Sequence, residues 1–196
     1  MKIKTIDDDT LVLNGKIESS DLIEIKKVTS KLKNPKRLVV RSFGGDVDTA
    51  RNLALFLRKI GIKTIIVHHV CLSSCATYLF PAFKNKVIRN GVVAFHGSGS
   101  EAAKAFLLQS SKIKNKSKIA AENMVKLDTA FFEKIGVDEK LFALSQKQDK
   151  GKGNNKVYHF LIPSIEVMHR YGIKDISGQQ NTYILKELGI SYVFQK

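Results

Sequence analysis

The chain has 196 residues, 43% of them apolar and 26% charged, with no Trp and a formal charge of +15. That is enough apolar material for one cored domain spanning 1–196, and it excludes whole-chain disorder and a collagen-like repeat. No apolar run approaches the ~18 residues that cross a bilayer, and the start, MKIKTIDDDT, has no apolar stretch of the secretory kind. The expectation is a cytoplasmic protein without a membrane segment, or an exported one whose signal segment has been removed.

The 33 Lys and Arg against 18 Asp and Glu invite a nucleic-acid reading. Only six of the cations are Arg, the side chain suited to bidentate phosphate and base contacts, and no zinc-finger or RNA-recognition spacing accompanies them. Nucleic acid is therefore not the expected partner, and the charge serves solubility. Cys71 and Cys75 are too few for a disulfide scaffold and have no zinc-type partners. They are either buried core thiols or a local disulfide, and one helical turn of separation allows both. No metal or cofactor is expected.

In chain order, apolar β-branched runs at 11–13, 38–40, 65–70, 92–95 and 192–194 read as strands. They are continuous rather than alternating, which suits strands covered on both faces. Helical patterns fill 21–32 and 47–60, the second with Val47, Ala50, Leu53, Ala54, Leu57 and Ile60 on one face and Gly61 as a stop. Strand and helix in alternation imply a mostly parallel sheet and an α/β fold. The stretch 101–142 is helical and Lys-rich, QKQDKGKGNNK (146–156) has loop composition, and Pro163 and Ser164 open a short helix ending at Gly172.

Three strand ends could carry chemistry. In SFGGDVDTA, a strand runs into Gly44 and Gly45 just before a helix, leaving amides uncovered where negative charge develops. Neither a third glycine nor a GK[ST] follows, and Asp46 and Asp48 disfavour a phosphate, so neither a dinucleotide nor a P-loop site fits. In VCLSSCATYLF, Ser73 or Ser74 stands at a strand-to-helix junction, either as a nucleophile or simply as the helix cap. In VVAFHGSGS, His96 closes an apolar strand, where parallel α/β folds place their sites and where a near-neutral base is useful. His68 and His69, in mid-strand, read as structural. Oxyanion donors, nucleophile and base together are the parts of acyl transfer.

The order SFGGDVDTARNLALFLRK, VCLSSCATYLFPA, VIRNGVVAFHG resembles the Clp protease proteolytic subunit and its relatives in the crotonase-like fold. The two cysteines around the serine resemble a branch of Clp-like proteins that are often exported. The resemblance runs in outline from Leu11 to Tyr192 and is specific from Leu38 to Gly97. It implies a spiral of repeated β-β-α units with a mostly parallel sheet, and a helical handle insertion at about 101–145. It further implies Ser73 as nucleophile (Ser74 if the register is one off) and His96 as general base, 23 residues on. The amides of Gly45 and Ser74 would form the oxyanion hole, with Gly44 shaping the turn. A polypeptide substrate and a homo-oligomer, trimer or ring, would follow. No segment resembles the axial loops that dock an ATP-driven unfoldase, so no such partner is expected. The Ser–Lys signal-peptide peptidases fit less well, since they leave His96 without a role.

The family's orienting Asp has no counterpart. Its position, counted back from Gly172, falls on Phe160, or on His159 with one insertion; Asp149 and Asp175 are the candidate replacements. The leading expectation is a Clp-like serine endopeptidase. Two others stand beside it: an inactive Clp-like assembly or binding protein, and a crotonase-type acyl-CoA hydratase or hydrolase that would need no serine.

Overall fold

The computed structural model describes residues 1–109, 115–146 and 160–195. Its main sheet orders six strands as β1-β2-β3-β4-β5-β7. These are β1 (Lys2–Thr5), β2 (Thr10–Asn14), β3 (Arg37–Ser42), β4 (Thr64–Leu72), β5 (Asn85–Ala94) and β7 (Ile176–Gln180). Only the β1–β2 hairpin is antiparallel; every other pairing is parallel. A second, two-stranded parallel sheet joins β6 (Phe160–Pro163) to β8 (Tyr192–Gln195). Sequential neighbours in a parallel sheet require a crossover each time. Helix α1 (Asp21–Thr29) supplies the first and α2 (Val47–Lys59) the second. A π-type turn at Cys75–Leu79, continuing into α3 (Phe80–Ala82), supplies the third. The fold is thus the expected mixed α/β spiral.

Helix α2 shows why local sequence and packing agree. Asp46 caps it, accepting from the Thr49 amide at 2.8 Å. Ala50, Leu53, Ala54 and Leu57 bury one face completely, and Gly61, at φ 102°, ends it in the left-handed region. Among the described residues of the stretch expected as a handle, three helices occur: α4 (Gly99–Gln109), α5 (Asn115–Ile135) and α6 (Lys140–Gln146). Ser164 caps α7 (Ile165–Arg170), accepting from the Val167 amide at 3.2 Å. The last helix is α8 (Tyr183–Glu187).

Coverage of the strands on both faces holds only in part. Leu38 and Val40 are fully buried while Val39 between them is half-buried, and Ile66 and His68 face outward on β4. Past His69 the picture changes. Val70 and Leu72 of β4, with Val92 and Ala94 of β5, pack against Ile162, Ile184 and Leu185 in a second core under the small sheet. The opposite faces, Cys71 and Val93, remain in the main core with α2, α5 and α6. A continuous apolar run marks two-sided burial only where a second layer exists. Here that layer is the β6–β8 sheet with α8, which covers the carboxyl halves alone.

The change comes with a break in pairing. His69 (φ 70°) and Asn90 (φ 48°) take left-handed conformations, and the register shifts between β4 and β5 at His68/His69 and between β5 and β7 beside Asn90. Ile88 and Phe95 then share one core although they are seven positions, an odd number, apart. One extra residue in a period-two strand does this.

Candidate active site

The site lies at the carboxyl ends of β3, β4 and β5. After β3, Gly44 and Gly45 adopt φ 89° and 147°, which only glycine takes without strain. Space excludes a side chain as well. A Cβ on Gly44 would sit 2.6 Å from the Ser73 Cβ and 2.8 Å from the Ser74 nitrogen, and one on Gly45 would sit 2.1 Å from the Ile17 carbonyl oxygen. The bend is stitched to Ile17, whose amide donates to the Gly44 carbonyl at 2.8 Å and whose carbonyl accepts from the Asp46 amide at 2.9 Å. Those bonds use the groups on either side of Gly45 and leave its own amide out of the ladder. The Thr49 hydrogen bonds hold the Asp46 carboxyl below its ordinary range, so it stays an ionised cap.

After β4, Ser73 stands at φ 54°, an uncommon conformation for a residue with a Cβ. Three contacts hold it there. Its amide donates to the Ala94 carbonyl at 3.1 Å, its carbonyl accepts from the Thr77 amide at 2.9 Å, and a Cys71–Cys75 disulfide brackets the turn. Of the two readings of the cysteines, the structure takes the disulfide, with both residues fully buried. Ser74, the alternative nucleophile, is committed elsewhere: buried, it donates its hydroxyl to the Gly45 carbonyl at 2.8 Å. It does not cap the following helix with its side chain. It locks the serine turn to the glycine bend.

After β5, the His96 ring is exposed and its Nε2 lies 2.6 Å from the Ser73 Oγ. The next residue is fixed from behind, since the Gly97 carbonyl accepts from the Thr77 hydroxyl at 3.1 Å. The structure therefore brings Ser73, His96, Gly44, Gly45 and Ser74 together from three strand ends.

The acid candidates fare differently. Asp149 and His159 lie outside the described residues. Asp175 does not reach the site: its carbonyl accepts from the Lys86 amide at 2.9 Å at the amino end of β5, a strand's length, roughly 30 Å, from His96. Its neighbour Lys86 is buried there, which pulls its ammonium down to about 8. Among the described residues no carboxylate bonds the His96 ring. Phe160 packs edge-on against it instead, with centroids 5.2 Å apart. The strand β6 that carries Phe160 is tied to the His96 strand by mutual amide bonds between Phe95 and Leu161, at 2.9 and 2.7 Å.

His68 is exposed, and His69 sits half-buried at the strand break, where desolvation, then Arg41 and His68, keep it below its usual range. Neither joins the site. The described residues hold no cluster of three or more His, Cys, Asp or Glu that could take a metal ion, and no helix among them is long and apolar enough to cross a membrane.

A buried cluster behind the site went unseen in the sequence. Asp128 of α5, fully buried, accepts from the Arg51 guanidinium, from the Tyr78 hydroxyl at 2.7 Å and from the Ser100 amide at 2.8 Å. Its only sequence trace is a charge set on the same face of α5 as Ala121, Phe131 and Phe132.

No family model and no curated protein matches the chain. Among solved structures it is similar to a point mutant of ClpP1 from Listeria monocytogenes. The TM-score is 0.54 at 15% identity, over 92% of this chain and 96% of that one. The chain thus has a ClpP-like fold, with the paired serine and histidine at the carboxyl edge of its main sheet.

Proposed function

We propose that the protein is a Clp-like serine endopeptidase working through an acyl-enzyme. One observation carries this reading: the 2.6 Å contact between Ser73 Oγ and His96 Nε2, beside the glycine bend. His96 takes the hydroxyl proton as Oγ attacks the carbonyl carbon of a peptide bond. The resulting oxyanion lies between the amides of Gly45 and Ser74, the first of which the Ile17 ladder leaves unused. Each such donor contributes about 3 kcal/mol of transition-state stabilisation in measured cases. The tetrahedral species collapses as His96 returns the proton to the leaving amine, and water then releases the acyl group by the same route. The φ of 54° at Ser73 supports this role, because backbone strain kept by a disulfide and two hydrogen bonds is the kind that clusters at active sites. A fluorophosphonate probe tests it. The wild type is expected to label and Ser73→Ala to stay unlabelled; equal labelling, or none in either, overturns the reading.

A second reading is favoured by Phe160, which offers the His96 ring an aromatic edge in place of a carboxylate. On that reading the chain is a Clp-like assembly or binding protein that keeps the architecture without turnover. A homo-oligomer, trimer or ring, belongs to both readings. A polypeptide is the substrate of the first.

A further inference from the structure

Each of the three segments that build the site leads, within a few residues, to the same buried carboxylate. Helix α2 leaves the glycine bend and brings Arg51. The π-type turn leaves Ser73 and brings Tyr78. The backbone leaving His96 brings Gly99 and Ser100. All meet at Asp128 on α5: Arg51 donates to its Oδ1, and the Tyr78 hydroxyl and Ser100 amide to its Oδ2. The Tyr78 hydroxyl also accepts from the Gly99 amide at 2.8 Å, so nucleophile and base segments are bonded to one another as well as to the acid. Gly99 is pressed against this point, since a Cβ on it would come 2.8 Å from the Met124 sulfur and 3.1 Å from the Asp128 carboxylate.

We infer that Asp128 is a positioning residue for the reaction proposed above, on which this inference rests: from behind the site it sets the spacing between Ser73, His96 and the oxyanion bend. It touches no reacting atom. It acts because a carboxylate with no exposure, holding an arginine, a hydroxyl and an amide from three segments, fixes their relative placement. Burial and the facing carboxylate push the Tyr78 phenol up, so it remains a neutral donor throughout the working range. Stacking on Phe132, at 5.8 Å between centroids, keeps the Tyr78 ring in place when its hydroxyl is removed.

The test uses Asp128→Asn and Tyr78→Phe, with Leu57→Ala as a core substitution that lowers stability away from the site. Fluorophosphonate labelling rates are measured on folded protein across pH. Asp128→Asn is expected to label roughly 100-fold more slowly and Tyr78→Phe roughly tenfold, the scale of a displacement of about 1 Å at a reacting pair. The pH midpoint should not move, and Leu57→Ala should label at the wild-type rate. Wild-type rates in folded Tyr78→Phe and Asp128→Asn overturn the inference; Tyr78→Phe decides alone if Asp128→Asn does not fold. A wild type that never labels defeats the peptidase reading instead. The imidazole nitrogen resonances of His96 then decide: displaced by Tyr78→Phe, they support the positioning role, and unchanged they refute it.

Discussion

Two polar clusters lie back to back in this molecule, and their surroundings are opposite. The Ser73–His96 pair stands at the surface, with an exposed ring, and among the described residues His96 has one polar contact. The Asp128 cluster is sealed, and its carboxylate takes three donors from three segments. Exposure and rigidity are thereby separated. Under the proposed function, the open pair is the one that would meet a substrate, and the sealed cluster is the one where an unsatisfied charge would be costly and the arrangement has little freedom to change.

The contrast predicts opposite outcomes for stability. Asp128→Leu leaves the buried Arg51 guanidinium with Asp48 as its ion-pair partner, takes the acceptor from the Tyr78 hydroxyl and the Ser100 amide, and is expected to cost about 3 kcal/mol, whereas His96→Ala should lower the unfolding free energy measured in urea by less than the ~0.5 kcal/mol typical of exposed positions. Similar losses from both would erase the distinction. Opening the Cys71–Cys75 bridge comes next. The loop it closes is short, so the chain-entropy scale gives about 2 kcal/mol. Since both residues are buried, loss of order at Ser73 should be read from Cys71→Ala/Cys75→Ala rather than from added reductant: labelling of the double variant should slow by more than its thermal midpoint falls would explain. The smallest effect sharpens the front side. Phe160→Asp places a carboxylate where the aromatic edge meets His96, and a gain of roughly tenfold in peptide hydrolysis is expected, well short of the ~10⁴ lost when a working triad is deprived of its acid. No gain would show that the His96 ring is oriented by some other group.

What the sequence made readable was whatever the backbone demands locally. Gly44 and Gly45, the CLSSC junction and a histidine closing an apolar strand are each spelled out within a few letters, and each sits where that spelling indicates. The Asp128 cluster could not be read this way, because its partners are 77, 50 and 28 residues distant. The strands that the sequence does not announce carry a weak or interrupted pattern. β7 reads ISGQQ, β1 alternates lysines at a sheet edge, and β6 carries a proline that a two-stranded sheet tolerates. Double-sided burial was over-read for a related reason: how much of a strand is covered depends on a sheet assembled from residues 160–195, about which the strand itself carries no information.

Asn90 carries a consequence out of proportion to its exposed amide. As the additional residue in β5, it decides which of two consecutive side chains points inward. With it present, Phe95 fills the main core and His96 emerges toward the serine. Delete that one residue and the alternation inverts, driving imidazole into the hydrophobic interior and benzyl out to water. Among relatives of this chain, a gap at this place would therefore mark a protein unable to assemble the same pair, however well its glycines and serines align.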